Sequence, residues 1–135
     1  MAKSAIERLV EAVGYPERVP AGAVSSTLRV DGMEIAAKEQ EGRIRLEYVV
    51  THDESLLPSL ATYAAGRLLR EDAALAWGDG AFIWQDADAG ADARSLLRFF
   101  ETFMDSCDWW RARVDALGGR EGVPSSGPET FMIRP

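Results

Sequence analysis

The stretch from Ser95 to Leu117 constrains this chain more than any other. Its apolar residues Leu96, Phe100, Phe103, Cys107, Trp110, Val114 and Leu117 are spaced 4, 3, 4, 3, 4 and 3, which is one unbroken seam along an α-helix. Leu97, Phe99 and Met104 widen that seam on its N-terminal half, while Arg98, Glu101, Thr102, Asp105, Asp108, Arg111 and Asp115 form the face turned to water. A helix this apolar on one side must lie across an equally apolar surface. Asp92 offers its N-terminal cap, and Gly118-Gly119 is expected to end it with a left-handed stop. The residues before it should supply the surface on which it lies.

A chain of 135 residues with 47% hydrophobic content has the size of one domain. We expect a single α+β domain over 1–119, followed by a flexible tail over 120–135 that is rich in Gly, Pro and Ser and closes on the apolar Phe131-Met132-Ile133. The formal net charge of -7 argues against nucleic acid and against an anionic membrane surface, because both need a basic face. No apolar run approaches the roughly 20 residues of a membrane span, and the start Met1-Ala2-Lys3-Ser4 lacks the apolar core of a signal peptide. A lone cysteine, Cys107, set in the helical seam reads as a buried thiol in a reducing compartment. A cytoplasmic protein is expected.

Ahead of the long helix the hydrophobic period changes twice. Ser4-Ala5-Ile6-Glu7 has the form of a capping box, and Ile6, Leu9, Val10 and Val13 follow at helical spacing up to Gly14. Pro16, Pro20 and Gly22 then mark a connector. From Thr27 to Val50 the period is 2: Leu28 and Val30, then Met33, Ile35 and Ala37, then Ile44, Leu46, Tyr48 and Val50. Asp31-Gly32 and Glu39-Gln40-Glu41-Gly42 separate three strands of an antiparallel meander. Asp53 or Ser55 opens a second helix reaching about Arg70, with Pro58 near its first turn and a middle of unusually small residues, Ala61 to Gly66. Ala73–Trp77 and Ala81–Gln85 flank Gly78-Asp79-Gly80 as a further hairpin, and Asp86 to Asp92 follows as an acidic loop. The order α-β-β-β-α-β-β-α predicts an antiparallel sheet packed against helices.

Residues able to carry chemistry are few. His52, the sole histidine, has only Asp53 and Glu54 beside it in sequence and no evident nucleophile. Cys107 belongs to the packed seam. Asp86, Asp88 and Asp92 alternate as calcium ligands do, without the glycine and closing glutamate that an EF-hand loop requires. Gly78-Asp79-Gly80 lies in neither phosphate-binding glycine pattern. No catalytic residue, metal ligand or cofactor is assigned, and an enzyme is not expected.

The size, acidity and element order, with the Asp31-Gly32 hairpin, the aromatic helix carrying Asp108-Trp109-Trp110 and the ending Phe131-Met132-Ile133-Arg134, resemble the class I type III secretion chaperones of the Tir-chaperone family. That resemblance implies a homodimeric cytoplasmic chaperone that holds the N-terminal segment of a secreted effector extended, without hydrolysing ATP. By position it implies effector contacts at Ile6, Leu9, Val10, Leu28, Val30, Met33 and Ile35. It implies a dimer interface at Leu60, Tyr63, Ala64, Leu68, Phe82 and Trp84. Two other classes fit the composition: an adaptor or regulatory protein of the same fold that binds a folded partner, and a small ligand-binding protein using the acidic loop or Trp77, Trp84 and Trp109.

Overall fold

The computed structural model describes residues 3–67 and 73–121. The Ser4 hydroxyl accepts the Glu7 N–H while the Glu7 carboxylate accepts the Ser4 N–H, and this reciprocal pair starts α1, Ala5–Val13. Gly14, left-handed at φ 71°, ends the helix. Strands β1 (Ser25–Val30), β2 (Met33–Gln40) and β3 (Arg43–Thr51) form the expected meander. Asp31 and Gly32 turn its first hairpin with φ of 51° and 79°, the mirror-image turn whose twist matches that of paired strands. A 3₁₀ turn, Glu54–Leu56, leads into α2, Leu57–Arg67. Residues 68–72, which include the expected last turn of this helix, lie outside the described residues.

The second hairpin pairs β4 (Ala74–Gly78) with β5 (Gly80–Asp88). Here β5 runs longer than the sequence pattern predicts. Asp86 and Asp88 are strand residues paired with Arg45 and Arg43, so the acidic loop shrinks to Ala89–Asp92. The extension follows from β3, whose full length offers a ladder that propensity alone does not register.

The strands order as β1-β2-β3-β5-β4, antiparallel throughout. One face carries Leu28, Ile35, Ala37, Ile44, Leu46 and Ile83, all fully buried. Against it lie α1, through Ile6 and Leu9, and α3, Ala93–Glu121, through Leu96, Phe103, Cys107 and Trp110. Asp92 caps α3 by accepting the Ser95 N–H at 2.8 Å. The helix does not stop at Gly118-Gly119 but continues to Glu121. Each glycine costs about 1 kcal/mol in a helix interior, and a left-handed stop forms only where the chain must turn. The apolar seam is deepest from Leu96 to Trp110, whereas Val114 and Leu117 are half-buried.

Among the described residues all helical mass lies on one side, and the opposite face of the sheet is open. Its residues include Thr27, Arg29, Glu34, Ala36, Lys38, Arg43, Arg45, Glu47, Val49, Phe82, Trp84 and Asp86.

Candidate partner-binding surfaces

Ile6, Leu9, Leu28, Met33 and Ile35 are 0–2% exposed and Val10 is 9% exposed. The first five join α1 to the sheet and are not offered to a partner in this conformation, while Val10 keeps a small exposed surface. Val30 alone among the seven expected effector contacts is half-exposed. The reason is one of supply: a domain this small must spend the apolar faces of α1 and the meander on its own core.

The expected interface residues divide between two sides of the β4 edge. Leu60, on α2, is fully buried. Tyr63 and Ala64 are half-buried, with the Tyr63 ring edge-on to Trp109 at 6.0 Å. The small residues Ala61, Thr62, Ala65 and Gly66 face solvent. Phe82 and Trp84 sit on the open face of the sheet, where the Arg45 guanidinium stacks 4.0 Å from the Trp84 ring. Leu68 lies outside the described residues.

The other sheet edge is β1, and its hydrogen-bond phase follows from the hairpin. Val30 and Met33 flank a two-residue turn and are therefore a bonded pair. Counting back, Leu28 and Ser26 bond to β2, and the Glu39 N–H to the Val24 carbonyl at 2.8 Å keeps the phase. Ser25, Thr27 and Arg29 consequently turn their N–H and C=O groups away from the sheet. At Arg29 that N–H donates to the Tyr15 hydroxyl at 2.9 Å.

Two hollows flank this edge. On the helical side, one of about 530 Å³ is walled by Val10, Tyr15 and Val19 and rimmed by Glu7, Glu11 and Glu17, with Lys3 and Arg18. Glu7 also accepts the Gly22 N–H at 2.9 Å, pinning the α1–β1 connector to the helix. The N–H groups of Ser4 and Gly22 hold its carboxyl below the usual range. On the open face a second hollow, about 470 Å³, is floored by Thr27, Ala36, Val49 and Phe82. Glu34, Glu47 and Asp79 line it as well, with Lys38 paired to Glu47 at 3.0 Å. Tyr15 belongs to the first hollow and Thr27 to the second, so both adjoin β1. Nothing in the sequence marked Tyr15 or Thr27, because which strand becomes an edge depends on where β5 inserts.

The fold is that of a chain in the ExsC–ExsE complex. The crystal structure of that complex superposes with a TM-score of 0.61 over 80% of this chain and 89% of that one, at 13% identity. The ExsC–ExsE likeness therefore establishes the α+β architecture, a five-stranded antiparallel sheet with helices. No protein-family model and no curated protein matches the chain.

The residues weighed for chemistry are otherwise engaged. Cys107 is fully buried, and burial pushes its thiol up to about 12. His52 is exposed and packs on Gly80, where an added Cβ would sit 2.8 Å from its Nδ1. Asp86 bonds Arg43 at 2.8 Å, Asp88 accepts the Gly90 N–H, and Asp92 caps α3. Among the described residues no group of three acids, histidines or cysteines is placed to hold a metal. Among them too, no helix is long and apolar enough to cross a membrane.

Proposed function

We propose that this chain is a cytoplasmic type III secretion chaperone, which takes an extended segment of a secreted effector along the free edge of β1 and holds it without ATP hydrolysis. The observation that carries the reading is the edge itself: outward-facing backbone groups at Ser25 and Thr27, with a hollow of mixed apolar and acidic lining on each side of the sheet. A segment added there gains main-chain hydrogen bonds that demand no particular sequence, and its alternate side chains enter the two hollows. The fold shared with a chain of a two-protein complex supports the same reading, as does the family resemblance of the sequence. The partner meets backbone and hollow walls, not the buried side chains of Ile6, Leu9, Leu28, Met33 and Ile35.

In this proposal the working species is a homodimer. It closes across the β4 edge through the exposed face of α2 on one side and Phe82 and Trp84 on the other.

The test uses the full chain recovered from its own cells by light scattering, with identification of what co-elutes. Thr27→Pro is the informative variant. Its N–H faces away from β2, so the β1–β2 ladder keeps all its bonds while the edge loses a donor. The expected result is a complex with one larger protein that fails to form with Thr27→Pro and with a client lacking its N-terminal segment. An undiminished complex with Thr27→Pro overturns β1 as the docking edge.

A further inference from the structure

We propose that Tyr15 is a latch on the β1 edge. This rests on the reading of that edge as the docking site and adds its regulation. A strand laid along Ser25–Arg29 needs the outward N–H of Arg29, and in the free protein that N–H is already taken by the Tyr15 hydroxyl at 2.9 Å. The tyrosine is held from behind: its own N–H bonds the Val10 carbonyl at 2.9 Å, just past the left-handed Gly14. The ring thus stands across the end of the edge and walls the helical-side hollow at once. A partner that fills the hollow displaces the ring and frees the Arg29 N–H in the same motion. Until then, among the described residues, the edge is open only at Ser25 and Thr27, too short a ladder for adventitious pairing with another chain, and closure of a sheet edge by its own chain is a recurrent protection against such pairing.

The occupant that fits is an extended segment alternating apolar and basic side chains. Each hollow joins apolar walls to an excess of carboxylates over cations: Glu11, Glu34 and Glu47 are ion-paired with Lys3, Arg29 and Lys38, and Glu7 accepts the N–H groups of Ser4 and Gly22, which leaves Glu17 in one hollow and Asp79 in the other to meet a basic side chain.

The experiment compares the full chain with Tyr15→Phe, which keeps the ring and removes only the hydroxyl, by residue-resolved amide exchange with and without a capped nonapeptide alternating valine and lysine. In the free protein, Tyr15→Phe should speed Arg29 exchange about fivefold, the worth of one net hydrogen bond, and leave Leu28 and Val30 unchanged as proof that the ladder holds. The peptide should protect Ser25 and Thr27 in both proteins and bind Tyr15→Phe about fivefold more tightly. Unchanged Arg29 exchange in the variant removes the latch. Faster exchange with equal peptide affinity also overturns it, since the bond would then gate nothing. If Ser25 and Thr27 gain no protection in either protein, the docking edge itself is wrong and the latch has nothing to regulate.

Discussion

Cys107 illustrates how context decides what a residue can do. Set between Phe103 and Trp110 on α3, it has no exposed surface, and removal from water lifts its thiol to about 12. At neutral pH it carries no thiolate to react. An aromatic disulfide reagent at mildly alkaline pH should therefore label the native protein only at the rate at which the fold opens, and at once in concentrated urea. Prompt labelling of the native protein would contradict this burial. Gly80 makes a complementary case. Its φ of +97° is left to glycine, and a Cβ there would lie 2.9 Å from the Thr51 carbonyl and 3.2 Å from Val49. The close approach lets β5 turn in beside the irregular end of β3 at Val49–Thr51, and so sets where the outer-face residues Phe82 and Trp84 fall.

At the scale of elements, α1 depends on one carboxylate. Glu7 closes the capping box and accepts the Gly22 N–H, and these bonds, led by the one from Ser4, hold its carboxyl below the usual range. Asp92 is lowered in the same direction, chiefly by the Ser95 N–H at the start of α3. A carboxyl whose folded pKa lies below its unfolded one contributes stability above the unfolded value, and that contribution is lost as pH falls through the folded value. The urea midpoint should accordingly decline from about pH 5 downward. Glu7→Gln should lower the midpoint at pH 7 and flatten that decline. A variant whose acid limb has the natural steepness would show that Glu7 does not contribute. Arg8 links elements further apart, donating to the carbonyls of Ala91 (2.7 Å) and Ala89 and so tying α1 to the loop before α3.

At the scale of the whole molecule, the described residues make two layers with one face of the sheet open. Cross-strand ion pairs, Arg29–Glu34 at 2.6 Å, Lys38–Glu47 at 3.0 Å and Arg43–Asp86 at 2.8 Å, lie on that face. Being exposed they contribute little to stability; they keep a bare sheet face hydrated around the apolar patch of Ala36, Val49 and Phe82. If the proposed dimer closes across the β4 edge, Phe82→Asp should halve the native mass from two 14.8 kDa chains to one while leaving the circular dichroism spectrum unchanged. A variant of undiminished mass would move the interface elsewhere.

Much of this architecture is legible in local pattern. The 4-3 spacing along α3, the capping box at Ser4 and the cap at Asp92, and the alternation of β1 to β3 around Asp31-Gly32 each depend on neighbours within a few residues, where helical and strand periodicity act. Local pattern misjudged the stop at Gly118-Gly119 and the reach of β5, because helix continuation and strand pairing answer to distant partners. It misjudged the surface for the same reason. Periodicity shows that Ile6, Leu28 and Ile35 are apolar, but whether an apolar side chain meets the core or a partner is decided by what covers it. The insertion of β5 between β3 and β4 leaves β1 as an edge, and the fold of the connector carries Tyr15 onto Arg29. Both are contacts between segments remote in the chain, so only the tertiary structure determines them.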